Sequence, residues 1–298
     1  MNYYLGIDLG GTNVRIAKVD EQGNILTDVI SPSYAQESAE KIRDNIVSLL
    51  RNFDYSDCKA IGIGVPGPVD EDRNVMLMAS NIPALLEYPL GDYIEKETGL
   101  KVYMDNDANV AGLAEAVLGA GKGKRVVYYI THSTGIGGAL IYNGKIISGR
   151  NGYAGEIGNI IVDDSGKKIN HLNAGAAETE ASGTAIGRYG KEIIGEEANS
   201  ARKVFTLAKK GDEKACEIID KATRNLAKMM QAISCTCSPD CYVIGGGCSH
   251  SSELYFDKLN KYLNEMIHER NRGVPIYKAE MKEPGVVGAA MLARSRYE

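Results

Sequence analysis

The chain has 298 residues, of which 44% are hydrophobic and 24% are charged, and this size and composition predict about two domains with packed cores. The formal net charge of −5 argues against a general affinity for nucleic acid. No apolar run reaches the roughly 18 residues of a membrane span, and the first ten residues lack a basic segment and end in a glycine turn. We therefore expect a cytoplasmic protein without a signal peptide.

The predicted elements alternate between strands and helices. The pattern predicts strands at 3–7, 14–19, 60–65, 100–104, 125–130, 139–142 and 242–244, and helices at 36–53, 90–98, 108–118, 212–233 and from about 285. Asn143 and Gly144 are typical of a two-residue hairpin turn. The order strand, Gly-Gly turn, strand occurs near the N-terminus and again after residue 125, which indicates two related halves.

Three glycine-rich clusters follow predicted strands, at residues 8–12, 133–138 and 245–247. Glycine allows the backbone to approach a phosphate closely and leaves its N–H groups free as donors. The sequence contains neither the G-x-x-x-x-G-K-[ST] pattern nor a G-x-G-x-x-G that opens a helix. Because the clusters are expected to lead into strands, they favour a β-hairpin phosphate clamp of the actin type over plain turns.

Asp105, Asn106 and Asp107 lie between a predicted strand and a predicted helix. Asp107 stands at the expected N-cap, where its structural role is capping, worth about 1 kcal/mol, and where the helix dipole lowers the pKa of a carboxyl. Asn106 has the alternative role of a turn residue. Ligands of α/β sheets bind at the carboxyl ends of strands, so a carboxylate here could also accept the proton of an attacking hydroxyl.

Glu156 and Glu178 stand in glycine-flanked loops. A glutamate in a loop is more often a solvated surface charge. A polyol ligand, however, requires carboxylate acceptors for its hydroxyl groups, and these two glutamates could serve as such acceptors.

Cysteines 235, 237, 241 and 248 form a cluster, but they lack the paired C-x2-C spacing of ordinary zinc sites. We therefore expect free thiols in a reducing compartment rather than a metal site.

These motifs together resemble the ROK family of bacterial sugar kinases, and the resemblance extends over essentially the whole chain. The segments that carry it are DLGGT (8–12), GVPGPVD (64–70), SNIP (80–83), DNDAN (105–109), STGIGGA (133–139), AGEIGN (154–159), ETEASG (178–183) and VIGGG (243–247).

The resemblance implies an α/β, actin-like ATPase (ribonuclease H-like) fold, with two domains and a cleft between them. A smaller N-terminal domain is expected at 1–118, with a C-terminal helix at about 286–298 returning to it, and a larger domain at 119–285. The implied activity is transfer of the γ-phosphoryl group of ATP to the 6-hydroxyl of a hexose or N-acylhexosamine, with Mg²⁺ as the cofactor. A homodimer is also implied.

The resemblance assigns roles to individual residues. Asp107 is expected to be the general base, and Asp8 is expected to hold Mg²⁺ through water. The implied sugar ligands are Gly67, Asn81, Asn106, Asp107, Glu156, Asn159 and Glu178. The implied nucleotide-binding residues are Asp8, Gly10, Gly11, Thr12, Asn13, Thr134, Gly135, Gly137, Gly245 and Gly246.

The sequence departs from the family pattern where most members bind structural zinc. Asn159 replaces a histidine, and Ile169, His171 and Ala176 stand where cysteines are usual. One histidine cannot form a four-ligand site, so no zinc is expected. The usual histidine also contacts the sugar, and glucose, N-acetylmannosamine, another N-acylhexosamine and a β-glucoside therefore all stay open as substrates.

The alternative function is that of a non-catalytic sugar-binding or regulatory member of the family. Regulators carry a DNA-binding domain before the first glycine motif, which here begins at residue 8, and a catalytically dead module is expected to lose Asp8 or Asp107. Both aspartates are present, and we therefore favour a kinase.

Overall fold

The computed structural model describes residues 1–164 and 167–298. Two compact units are distinguished within it by the density of their internal contacts. The first unit consists of Met1–Arg125, Ala139–Ala154 and Glu280–Glu298, and the second of Val126–Gly138 and Gly155–Ala279. The domain boundaries expected from the sequence stay a prediction.

The strands and helices of the described residues alternate in chain order. The strands are β1 Tyr3–Leu9, β2 Asn13–Asp20, β3 Ile25–Pro32, β4 Cys58–Val65, β5 Val69–Asp70, β6 Val75–Met76, β7 Lys101–Asn106, β8 Val126–His132, β9 Ile136–Tyr142, β10 Lys145–Ile146, β11 Cys241–Gly245 and β12 Ile276–Lys278. The α-helices are α1 Ala39–Leu50, α2 Leu90–Thr98, α3 Asp107–Val117, α4 Ala177–Ala181, α5 Gly183–Ile193, α6 Ala201–Lys209, α7 Glu213–Cys237, α8 Phe256–Met266 and α9 Pro284–Tyr297.

Two five-stranded sheets share one topology. Their strand orders are β3-β2-β1-β4-β7 and β10-β9-β8-β11-β12, while β5 and β6 form a separate two-stranded sheet. In both five-stranded sheets, the first strand in sequence occupies the centre and pairs in parallel with the fourth, β1 with β4 and β8 with β11. The shared order agrees with the internal repeat that the sequence indicated.

The core of the first unit explains why its parallel strands end together at one edge. β1 and β4 are buried along most of their length, and their sequences therefore consist mostly of apolar residues. Helix α9, which is rich in small buried residues, packs against β1, β4 and α3. The register pairs Asp8 with Gly64, and Gly64 in turn with Asp105. The carboxyl ends of β1, β4 and β7 therefore lie side by side.

The second unit is built around β8, β11 and β12, which pair in parallel. Helix α7 contributes a long apolar face, and Met229 and Met230 on it are fully buried in the core. Asp212 caps this helix by accepting a hydrogen bond from the backbone N–H of Ala215 at 2.9 Å. Among the described residues, no helix is both long enough and apolar enough to cross a bilayer.

Two sequence predictions about the glycine clusters need correction. The second cluster is shorter than expected, because β9 begins at Ile136 and includes Gly137. The third cluster does not lead into a strand. Gly247 begins a 3-10 helix that extends to Leu254.

Candidate active site

The first glycine turn lies at the carboxyl end of β1 and is a tight hairpin. The Gly10 N–H donates to the Asn13 carbonyl at 2.9 Å, and the Thr12 carbonyl accepts from the Ser33 N–H at 2.9 Å. A methyl group at Gly11 would lie 3.7 Å from Asn81, so the turn and this predicted sugar ligand are neighbours. Gly67 follows β4 two residues beyond Val65, at the same edge of the sheet.

Asp8, the last-but-one residue of β1, is half-buried. Burial raises the pKa of its carboxyl, Arg15 opposes this and Glu283 adds to it. Arg15 is itself paired with Glu283 and with Asp28. No described residue donates a hydrogen bond to the Asp8 carboxylate. A carboxylate with unused lone pairs and a raised pKa fits a hard cation such as Mg²⁺, or a water bound to it.

The N-cap of α3 is Asn106, not Asp107 as the sequence predicted. β7 continues through Asn106, whose side-chain oxygen accepts from the N–H groups of Ala108 at 2.8 Å and Asn109 at 3.4 Å. The cap lies one residue earlier than predicted because Asn106 has an extended backbone (φ −62°, ψ 145°) and the helical backbone begins at Asp107. The exposed carboxylate of Asp107 therefore stands on the first turn of the helix, where it accepts from the Ala108 N–H at 2.7 Å.

Asp105, to which the sequence assigned no separate role, lies buried behind these two residues at 1% exposure. Its Oδ1 accepts from the Asn106 N–H and from the Asn109 side chain, both at 2.7 Å, and its Oδ2 accepts from the Ser148 hydroxyl at 3.3 Å. Burial nevertheless raises the pKa of Asp105 to about 6, because it disfavours the charged form more than these bonds favour it.

Asp105 should make the stability of the protein depend on pH. The pKa in the folded state, about 6, exceeds the ordinary value of 3.8, so the folded state holds a proton that the unfolded state releases. This contribution to stability is complete below about pH 4 and is lost as the pH rises through 6, at a cost of up to about 3 kcal/mol. Asp105→Asn keeps an acceptor for Asn106 and Asn109 and cannot ionise.

We therefore expect the urea midpoint of Asp105→Asn to shift upward relative to wild type between about pH 4.5 and pH 7. Urea unfolding of both proteins at the two pH values measures this shift. A difference in midpoint that is the same at both values would contradict the assignment.

In the second unit, the two predicted sugar-binding glutamates are neighbours. Partial burial raises the pKa of Glu156, the nearby charge of Glu178 raises it further, and His171 opposes both. Glu178 lies in helix α4 and not in a loop as the sequence predicted, and its Oε2 accepts from the backbone N–H of Ile136 at 2.8 Å. The structure therefore brings together Glu156, Glu178 and the glycine cluster at 133–138.

That cluster, here called the glycine loop (residues 133–138), is also held by the start of α5. The Ser133 carbonyl accepts from the Gly183 N–H at 2.7 Å, and the Thr134 carbonyl accepts from the Thr184 N–H at 3.2 Å. The third glycine cluster lies alongside, because a methyl group at Gly247 would be 3.8 Å from the Ser133 hydroxyl. Gly245 and Gly246 precede it at the end of β11.

His132, the residue before the glycine loop, is buried and neutral. Burial lowers the pKa of its imidazole to about 4. Its Nε2 lies 2.8 Å from the Ala181 carbonyl, which can only accept, so the proton is assigned to Nε2. Its Nδ1 then accepts from the Tyr255 hydroxyl at 3.2 Å. His132 therefore joins the end of β8 to the end of α4, which carries Glu178.

A pocket of about 720 Å³ opens beside the glycine loop within the second unit. It is lined by Ser133 and Thr134, by residues of α5 and α6, and by residues 247–251. Of the predicted nucleotide-binding residues, only Thr134 lines it. Sequence reasoning missed Thr184, Asn199 and Phe205, because they belong to no short motif.

Hydrogen bonds between Asn159 and Asn173 hold together the two sides of the segment that departs from the family's zinc pattern. The Asn159 side-chain oxygen accepts from the Asn173 N–H at 2.7 Å, and the Asn173 side chain donates to the Asn159 carbonyl at 3.2 Å. Lys228 donates to the Val162 carbonyl at 2.8 Å. Within residues 1–164 and 167–298, no three His, Cys, Asp or Glu side chains are grouped to hold a metal, and all six cysteines are free thiols.

The absence of zinc stays a prediction. Elemental analysis of purified, untagged protein should give well below one zinc per chain, because the segment offers His171 alone in place of four ligands. A chelator should cause no lasting loss of function once Mg²⁺ is restored. Stoichiometric zinc would contradict this and would direct attention to cysteines 235–248.

Comparison with known proteins identifies the fold and the family of this chain. The structural neighbours include ROK sugar kinases, which have an actin-like ATPase fold, and this chain has that fold. The ROK family matches residues 4–296, and the chain belongs to this family.

The chain is 31% identical to a glucokinase of Thermotoga maritima, covering 98% of this chain and 97% of that protein. It is also 31% identical to an N-acetylmannosamine kinase of Escherichia coli, covering 97% and 98%. A ROK family glucokinase from Streptomyces griseus, solved in complex with glucose and AMPPNP, superposes with a TM-score of 0.80 at 30% identity over 99% and 100% of the two chains.

Proposed function

We propose that this protein is an ATP-dependent sugar kinase that phosphorylates the 6-hydroxyl of a hexose or N-acylhexosamine. The observation that carries the proposal is the pocket of about 720 Å³ whose wall includes Ser133 and Thr134, the first two residues of the glycine loop. Its volume is in the range of small-molecule sites, and the loop next to it has the composition of a phosphate clamp. Relatives named glucokinase and N-acetylmannosamine kinase, each 31% identical over nearly the whole chain, support the same class of reaction.

Asp107 is proposed as the general base. Phosphoryl transfer requires little covalent chemistry from the protein, so its main tasks are to position the two substrates and to accept the hydroxyl proton. Asp107 is exposed on the first turn of α3, while the capping task belongs to Asn106. The Asp107 carboxylate can therefore accept a proton while the N-cap of α3 stays in place.

The nucleotide is proposed to bind the second unit, with its base and ribose in the pocket and its phosphates at the glycine loop. Gly135 and Gly137 let the backbone approach phosphate oxygens, and Gly245 and Gly246 form the adjacent turn. In the first unit, the hairpin at Gly10 to Asn13 is proposed to contact the terminal phosphates. Mg²⁺, when bound, neutralises charge on the phosphates, and Asp8 is proposed to hold it through water.

The sugar is proposed to be held by carboxylate and amide groups that accept and donate hydrogen bonds to its hydroxyls. The proposed ligands are Gly67, Asn81, Asn106, Glu156, Asn159 and Glu178. The oxygen of the Asn159 side chain already accepts a hydrogen bond from Asn173, so its NH₂ group is the part proposed to face a ligand. Glucose and N-acetylmannosamine are the first candidates for the sugar, because two relatives that are 31% identical are named glucokinase and N-acetylmannosamine kinase.

An ADP-release assay with a panel of sugars tests the proposal. The panel contains glucose, N-acetylmannosamine, other N-acylhexosamines and a β-glucoside, each with ATP and Mg²⁺. A kinase should release ADP with at least one of them. Sugar binding by calorimetry without ADP release from any sugar would instead support a non-catalytic or regulatory member of the family. We also propose a homodimer, which sedimentation would test.

A further inference from the structure

One carboxylate joins the proposed sugar ligands to the glycine loop. Glu178 Oε2 accepts from the Ile136 N–H at 2.8 Å. A methyl group at Gly135 would lie 2.5 Å from the same oxygen, and one at Gly158 would lie 3.4 Å from it. A side chain at residue 135 would therefore displace this carboxylate. At residue 158 a methyl group would be in ordinary van der Waals contact with the carboxylate and would instead clash with the Ile136 carbonyl at 2.4 Å.

Backbone hydrogen bonds also anchor the glycine loop. Its carbonyls at Ser133 and Thr134 are tied to the start of α5, and the Ser133 N–H donates to the Gly135 carbonyl at 3.0 Å. These bonds fix the first part of the loop. Ile136, whose side chain is buried, is where the loop becomes strand β9, and its N–H bonds to Glu178. The far end of the loop is therefore held by the pairing of β9 with β8 and, at the Ile136 N–H, by Glu178.

A hydrogen bond to an ionised carboxylate is stronger than one between neutral groups. The bond turns the Ile136 N–H toward Glu178, so that this N–H donates to the carboxylate. Glu156 is a contrasting case, because no described residue of the glycine loop bonds to it.

We propose that Glu178 is a positioning residue for the nucleotide as well as a ligand for the sugar, so that the two substrates are coupled through its carboxylate. The inference rests on the proposed kinase function. A sugar hydroxyl bonded to Glu178 restricts the carboxylate, and this in turn orders the glycine loop before the nucleotide arrives. The coupling of two ligands is reciprocal, so the sugar should strengthen nucleotide binding by the same factor as the nucleotide strengthens sugar binding.

Paired substitutions separate the two roles of Glu178. Glu178→Gln keeps an oxygen that can accept from the Ile136 N–H, whereas Glu178→Ala removes it. Both variants lose the charged acceptor for sugar hydroxyls. Glu156→Gln and Glu156→Ala form the matched control, because they alter the neighbouring glutamate without touching the loop. Glu178→Met serves as a second variant that fills the space with only a weak acceptor, should the alanine variant fold poorly.

The measurement is calorimetric binding of AMPPNP with Mg²⁺ to the full chain, without sugar and then with it. Without sugar, Glu178→Ala or Glu178→Met should weaken AMPPNP binding by about tenfold or more, the scale of one lost charge-assisted bond. Glu178→Gln, which keeps a neutral hydrogen bond to the Ile136 N–H, should fall between wild type and Glu178→Ala, and both Glu156 variants should stay within about twofold of wild type. Sugar should tighten AMPPNP binding to wild type but not to Glu178→Ala or Glu178→Met.

The outcomes distinguish this inference from the function on which it rests. If wild type binds AMPPNP and phosphorylates a sugar, but Glu178→Ala and Glu178→Met bind AMPPNP as well as Glu178→Gln does, the positioning role is wrong and the kinase stands. If the Glu156 variants weaken AMPPNP binding as much as Glu178→Ala, the specific link through Ile136 is wrong. A wild-type protein that binds no AMPPNP overturns both proposals.

Discussion

Asp107→Asn should lower kcat by roughly 10²-fold or more, which is the usual scale for a lost general base. Asparagine has nearly the same shape as aspartate but cannot accept the hydroxyl proton. Its effect on sugar affinity should be far smaller, since the amide can still accept and donate hydrogen bonds. Steady-state kinetics with the best sugar of the panel, together with calorimetric sugar binding, separate the two effects.

The position of the helix cap allows this experiment to separate the loss of a general base from the loss of a helix N-cap. Asn106 caps α3, so the substitution at residue 107 leaves the cap in place. The asparagine oxygen can also replace Asp107 Oδ1 as the acceptor for the Ala108 N–H. The thermal midpoint should therefore change little, whereas removal of a true N-cap costs about 1 kcal/mol. A folded Asp107→Asn protein that keeps a third of the wild-type kcat would rule out the base.

The sequence located the elements whose periodicity is local, but it did not predict β3, β12, α4, α5, α6 or α8. It also placed the end of β7 two residues early. Asp105 and Asn106 are polar and resemble a loop. In the structure they pair in parallel with Gly64 and Val65 of β4. Pairing with a distant strand is a tertiary effect that a local pattern does not contain. The same error shifted the predicted N-cap from Asn106 to Asp107.

The candidate site was predictable only where short motifs mark it. The glycine turns and the acidic residues of DNDAN, GEIG and ETEASG could be found in this way. The pocket wall formed by α5 and α6 could not, since Thr184 and Phe205 look like ordinary helix residues. The bond from Ile136 to Glu178 spans 42 residues, and neither residue type indicates the other. The burial of Asp105 likewise depends on Ser148, which is distant in sequence.

Gly137→Val should lower kcat/KM for ATP by about 10²-fold, the scale of a misplaced reacting group. Gly137 is the second residue of β9, and the side chain of Ile136 before it is buried. Side chains alternate along a strand, so a side chain at residue 137 points to the opposite face. We propose that phosphate oxygens lie on that face, where valine would exclude them. Valine favours strands, so the variant should fold.

Sugar binding provides the internal control for Gly137→Val. Residue 137 follows the Ile136 N–H that bonds to Glu178, so a valine that distorted the strand would disturb Glu178 and weaken sugar binding as well. Sugar affinity measured without nucleotide should therefore stay close to wild type, and Gly137→Ala should fall between glycine and valine in ATP kinetics. If the valine variant is folded, binds sugar normally and retains wild-type kinetics for ATP, the glycine loop does not contact the phosphates. The nucleotide would then have to bind the 720 Å³ pocket in another orientation.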